Sequence, residues 1–347
     1  MEQSAPGHAR RARLSRLIAI VAVLLLGGVL LVLAVRGVSW SAMRATIQHG
    51  QLLYLALAFA TLSVSFCLRG LRWSVLLNAE KPVTPLTGIW GIAVGYLGNF
   101  FLPARAGELI RSAMIARATA LSTSYVLATA LTERIVDAVA LVLISLLTLT
   151  AVASMPGWLL AASKVTAVVG LGGLVVLFLA PRYERVLSGL LTRLPLPSAV
   201  RARLVSLLAQ FLLGMRALQD ARRALSFASL TAVVWLIDSV VAIEVATAFH
   251  LALAVPQALL LLAALGLASA VPSTPGFVGV YQFVAATVLT PFGFSRSQAL
   301  VFIIALQAVN YAVVIVWGGT GFWRLSAAAA RRMYRPSEPR PMPVDPG

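Results

Sequence analysis

Charge is scarce in this sequence. Only 11% of its 347 residues are charged, against about 25% in a typical water-soluble domain, so an ordinary solvated surface is excluded. Cysteine is scarcer still. The single Cys67 rules out an internal disulfide and a metal site built from cysteines alone. It lies in an apolar run, where a buried, inert thiol is expected. The three histidines, His8, His49 and His250, fall in tails or short loops, so neither a catalytic metal nor another cofactor is expected. Adjacent carboxylates, an Asp-x-Asp pair and a Gly-rich phosphate loop are all missing. ATP hydrolysis by the chain is therefore not expected.

What the chain has is apolar length: 60% of residues are hydrophobic, in runs near the 20 residues needed to cross a bilayer. Its 28 basic residues outnumber 11 acidic ones, giving a net charge of +17. They sit between the apolar runs, where they orient the chain and attract anionic lipid rather than nucleic acid. Six runs read as full spans: Leu17–Val35, Leu52–Leu68, Ser124–Ala153, Leu160–Ala180, Phe227–Phe249 and Ala299–Phe322. The first follows Arg10, Arg11, Arg13 and Arg16. It is too long for a signal h-region and ends in Val35-Arg36-Gly37, so it reads as an uncleaved helix. Arg69, Arg72 and Lys81 mark a return to the cytoplasm.

Two further apolar stretches are broken. Thr87–Leu102, rich in glycine, stops at Pro103 and continues through Arg105, Glu108, Arg111 and Arg117. Pro256–Val271 and Gly276–Phe292 flank Pro272-Ser273-Thr274-Pro275-Gly276. If each is a re-entrant hairpin, the first opens to the cytoplasm and the second outward. If each arm crosses, the count rises to ten. Both termini are cytoplasmic either way. The predicted fold is all-α and polytopic, with about six full transmembrane helices and two broken hairpins, and opposite-facing hairpins suggest an inverted repeat. Residues 1–16 read as a basic tail, 17–323 as the membrane domain and 324–347 as a basic, Pro-rich, disordered tail. Within the basic loop 181–224, Val200, Leu204, Leu207, Leu208, Phe211, Met215 and Leu218 recur at helical spacing. They fit either an amphipathic helix on the inner leaflet or one packed on the bundle.

Ionisable groups inside a bilayer cost about 2.5–3.5 kcal/mol each on insertion scales, so each needs a partner or a purpose. Four places qualify. Around the first break lie Asn99, Arg105, Glu108 and Arg111, the last two sharing a helix face. A half-helix starting after Pro103 would favour anionic groups at its N-terminus. Glu133, Arg134 and Asp137 form a mixed-charge face near the middle of their span. Asp238 lies near the centre of its own span, expected to face the interior with Arg134 or Arg111 as partner, and Glu244 lies nearer the outer end. At the second break, Ser273 and Thr274 can satisfy backbone groups freed by Pro275 and Gly276, with Gln282 following. For each place a plain structural role, as a loop or an ion-pair lock, competes with a functional one.

Three of these patterns occur together: Asn-x-x-Leu-Pro-x-Arg-x-Gly-Glu at Asn99–Glu108, Glu-Arg-x-x-Asp at Glu133–Asp137, and Pro-x-x-Pro-Gly-x-x-Gly at Pro272–Gly279. In order and rough spacing, from about Leu17 to Phe322, the chain resembles the transmembrane, flippase-like domain of bacterial lysylphosphatidylglycerol synthases. The likeness is to its stand-alone form, without the aminoacyl-transferase domain. The resemblance implies a multi-pass protein of the bacterial plasma membrane that translocates lipids. It carries Asn99, Arg105, Glu108, Arg111, Glu133, Arg134, Asp137, Pro275 and Gly276 onto the family's patterned positions. Phe277 stands where a second glycine is common, and Gln282 where the family often has Glu. The missing carboxylate argues for a lipid other than one with a cationic headgroup.

The expected function is therefore translocation of a phospholipid or lipid-linked precursor, with anionic or lipid-linked headgroups as partners. A membrane transferase acting on a lipid carrier is the alternative. A third reading is a non-transporting scaffold that recruits a lipid-modifying enzyme through the basic loop. Self-association into a homo-oligomer is compatible with each.

Overall fold

The computed structural model of the chain describes residues 21, 25–102, 106–151, 168, 170–173, 175, 176, 179–269 and 274–333. Pro103, Arg105, Pro272, Ser273, the start of the first predicted span, most of Leu160–Ala180, the whole N-terminal tail and residues 334–347 of the C-terminal tail lie outside the described residues. Among those described there are helices and no strands: α1 Leu25–Val35, α2 Trp40–Gln48, α3 Leu52–Leu77, α4 Pro85–Phe101, α5 Gly107–Ala118 and α6 Thr123–Ala151. After the partly described stretch come α7 Glu184–Thr192, α8 Ser198–Arg216, α9 Ala221–Ala248, α10 Val255–Ala268, α11 Val280–Leu289 and α12 Arg296–Met333. The chain is an all-α, polytopic membrane protein.

Each predicted full span is helical where described, with displaced ends. α3 does not stop at Leu68 but continues for 26 residues to Leu77, about 39 Å at 1.5 Å per residue. Arg69 and Arg72 therefore lie inside a helix and not in a cytoplasmic loop. α9 begins at Ala221, earlier than Phe227, because the Asp220 carboxylate accepts from the Arg223 N–H at 2.9 Å and caps it. α12 runs past Phe322 through Ala327–Ala330, the best helix formers, so residues 324–333 are helix rather than tail. The polar stretch after α1 is also helical. Gly37, at φ 74°, breaks the chain and α2 leaves at 85° to α1, with Ser39 as its N-cap.

Four described helices are long and apolar enough to cross a membrane, or five if the bent α1–α2 pair is one span. The four are α3, α8, α9 and α12, so α8 is apolar enough to cross although its stretch reads as a basic cytoplasmic loop. α6, which carries Glu133, Arg134 and Asp137, is not among them, and much of Leu160–Ala180 lies outside the described residues. The arms of the two broken stretches are shorter. α4 has 17 residues, α5 has 12, α10 has 14 and α11 has 10, all short of the roughly 20 residues of a crossing. α8 packs against α6, burying Leu212 and Met215. Gly214 makes that contact possible, since a Cβ there would lie 2.9 Å from the Ala128 backbone.

Helix association in lipid depends on close packing rather than on hydrophobic burial, and small residues permit it. α3 and α4 cross where a Cβ on Gly70 would sit 2.3 Å from Ile89 Cα. α3 also packs along α9, α4 along α12 and α5, and α6 along α10. Two apolar cores result. One joins Ala58 and Phe66 of α3 to Val241–Phe249 of α9 and to the first half of α12. The other joins Trp73–Leu77 of α3 to Ile92, Ile115, Tyr125, Phe227 and Leu325. Between them, α3 carries Arg69 and Arg72, and α9 carries Asp238. On the outside, Leu52, Leu147 and Leu225 are more than two-thirds exposed, a surface suited to lipid and not to water.

Candidate functional site

The layer between the two cores is charged. Arg72 donates to Asp137 at 2.6 Å and to Glu133 at 2.7 Å; the second oxygen of Glu133 accepts from Arg111 at 2.8 Å. Arg111 also meets Glu108 at 2.6 Å, Glu108 meets Arg134 at 3.1 Å, and Arg134 meets Asp137 at 3.6 Å. These contacts close a ring of six alternating charges, Arg72–Glu133–Arg111–Glu108–Arg134–Asp137, built from α3, α5 and α6. Arg72, Arg111 and Glu133 have side chains only 1% exposed. Removing one partner from such a pair leaves a buried uncompensated charge, which costs about 3–5 kcal/mol.

Local sequence explains how each helix delivers its members. Glu108 and Arg111 are one turn apart on α5, as are Arg134 and Asp137 on α6. Glu108 lies in the first turn of α5, where its carboxylate complements the positive helix end. The start of α5 is held by Asn99, whose side-chain oxygen accepts from the Gly107 N–H at 2.9 Å. Gly107 is required by that approach, because a Cβ there would be 2.0 Å from the Gly95 carbonyl. Aromatic faces complete the enclosure, with the Arg111 guanidinium 4.4 Å from the Trp73 ring centre and that of Arg72 5.1 Å from Phe227.

Asp238 faces the interior, but its partner is neither Arg134 nor Arg111. It pairs with Arg69 and accepts from Ser65 at 2.6 Å, while Arg69 also donates to Tyr96 at 3.0 Å. The reason is register: Arg69 is one turn before Arg72 on α3, the helix that packs closest along α9. Glu244, farther along α9, accepts from Thr61 at 3.0 Å.

Beside the ring and the Arg69–Asp238 pair lies a cavity of about 350 Å³. Its lining includes the polar Arg69, Asp238, Arg134, Asp137, Tyr96 and Asn99. It also includes apolar side chains, among them Leu262, Leu265, Phe277, Ile303 and Leu306. The second broken stretch closes it. Pro275–Phe277 forms a single 3-10 turn against α4, with Gly276 at φ 67° in the left-handed region that favours glycine. Phe277 follows at φ 60°, so its place where glycine is common carries backbone strain, offset by a ring stacked 4.9 Å from Tyr281. The Gly276 carbonyl accepts from Gln307 at 3.0 Å and from Tyr311 at 2.5 Å. The Thr274 hydroxyl donates to the Val278 carbonyl at 2.5 Å.

The predicted site residues thus divide. Glu108, Arg111, Glu133, Arg134 and Asp137 meet in the ring. At the cavity, Asp238, Asn99 and Gly276 join Arg134 and Asp137. Thr274 and Pro275 shape the turn. Gln282 is buried away from the cavity lining, bonding the Gly279 N–H at 2.7 Å and Gln307 at 2.5 Å. Arg105 and Ser273 are outside the described residues. Arg69, Arg72, Gln307 and Tyr311 escaped sequence reading. The signal for the first two was the apolar Trp73-Ser74-Val75-Leu76-Leu77 that follows them. For the last two it was a pair of polar residues one turn apart in an apolar span.

Fold and site define a multi-pass helical membrane protein with a charged chamber inside its bundle. The family model described as Lysylphosphatidylglycerol synthase TM region matches residues 18–318, and the chain belongs to that family. It is thus an integral membrane protein related to lipid synthesis and translocation. No curated protein and no solved structure matches the chain.

Proposed function

We propose that this protein moves a phospholipid or lipid-linked precursor between the leaflets of its membrane. The observation that carries the reading is a cavity lined by both charged and apolar side chains, set where two broken helical stretches meet. Non-helical backbone at membrane depth is tolerated where it lines a cavity or is buried in protein. At about 350 Å³ the chamber is at the small end for ligand sites, enough for a headgroup and not for acyl chains. The headgroup would pass along the charged side chains while the acyl chains stay in the bilayer. The ring would supply charge at the chamber edge through Arg134 and Asp137, its two members that line it.

The test is reconstitution of the full chain in liposomes with a panel of tail-labelled lipids. Leaflet exchange is measured for wild type, for Glu108→Gln and for protein-free vesicles. Glu108→Gln opens the ring and is expected to slow exchange about tenfold or more, equivalent to ~1.4 kcal/mol in the barrier. Wild-type exchange no faster than in protein-free vesicles, for every headgroup, contradicts the proposal.

A further inference from the structure

Two cation–anion couples face the same cavity. Arg69 and Asp238 meet across α3 and α9, and Arg134 and Asp137 stand one turn apart on α6. Neither couple is sealed. Arg134 is 26% exposed, and its 3.6 Å contact with Asp137 is the longest of the ion pairs among the described residues. The cavity wall also holds Trp235, whose indole N–H is a buried donor without a partner.

This arrangement discriminates by charge pattern. An anion approaching Arg134 comes equally close to Asp137, and one approaching Arg69 comes close to Asp238. Attraction and repulsion nearly cancel. The same holds for a cation with the signs reversed. A group carrying both charges gains from both members of a couple, because each end displaces one internal contact with an equivalent one. The free Trp235 N–H adds a donor for the anionic end, and a buried polar group left unpaired penalises ligands that cannot use it.

Building on the translocator reading above, we infer that the headgroup this cavity accepts is a zwitterion without net charge, a phosphate joined to one ammonium group. The phosphate faces Arg69 or Arg134 and the Trp235 N–H, and the ammonium faces Asp137 or Asp238. A headgroup of single sign is a poor ligand, however strongly it is drawn to the basic surface of the protein.

The experiment uses the full chain in vesicles with tail-labelled lipids bearing phosphoethanolamine, phosphoglycerol or trimethylammonium headgroups. Wild type is expected to exchange the phosphoethanolamine lipid about tenfold or more faster than either other lipid. Asp238→Asn leaves Arg69 uncompensated and is expected to move the ratio toward phosphoglycerol. Because the readout is a ratio within one preparation, a loss of folded protein lowers all rates and does not mimic the change. Phosphoglycerol exchange as fast as phosphoethanolamine in wild type, or an unchanged ratio in Asp238→Asn, overturns the inference and leaves translocation standing. Failure of all three lipids to exchange overturns both.

Discussion

The two broken stretches of this protein solve one problem with different chemistry. Near the first, α5 is anchored by full charges, Glu108 and Arg111 meeting Glu133 and Arg134 of α6. At the second, the freed carbonyl of Gly276 is held by uncharged groups, Gln307 and Tyr311, with Gln282 behind them. A ring of alternating charges holds three helices in one register and resists the loss of any member. An amide and hydroxyl network satisfies backbone at lower stakes and yields more easily. The contrast predicts that the ionic ring contributes more to stability than the network at the second turn.

The largest break in that comparison should come from Arg72→Leu. It leaves Glu133 and Asp137 without their shared cation at a site 1% exposed, and a loss of about 3–5 kcal/mol is expected in a detergent unfolding titration. A loss under about 1 kcal/mol, the range of exposed pairs, would show that the ring does not hold the helices together. Next, Gln307→Leu removes a donor from Gly276 and the partner of Gln282, and about 1–3 kcal/mol should be lost in the same titration. Equal losses in the two variants would erase the distinction between the ring and the network.

The smallest effect sharpens it. Phe277 sits at φ 60°, where a side chain costs roughly 1–2 kcal/mol, and stacks on Tyr281. Phe277→Ala loses the stack and keeps the strain, whereas Phe277→Gly loses both. Phe277→Gly should therefore be more stable than Phe277→Ala by about 1 kcal/mol.

Much of this fold was legible because apolar run length and the Pro and Gly breaks are local signals. Each predicted span is helical where described. The acids of the site were legible too, since Glu133, Asp137 and Asp238 stand out within apolar runs. The arginines that hold them were not. Arg69 and Arg72 end an apolar run, where cationic residues ordinarily mark a cytoplasmic loop, and their placement depends on Glu133, Asp137 and Asp238, many residues away in sequence. Pairing across helices cancels the charge that defined them as loop residues, and that cancellation exists only in the packed bundle. Gln307 and Tyr311 escaped for the opposite reason: uncharged, they barely disturb the hydropathy of α12, and only the bent turn at Gly276 gives them a role.

If headgroups pass through the chamber, filling it stops their passage. Ala138 lines the cavity beside Asp137 without belonging to the ring. Leaflet exchange by reconstituted Ala138→Phe should fall to the protein-free rate while its unfolding midpoint stays at the wild-type value. Exchange at the wild-type rate through a chamber so filled would contradict the account.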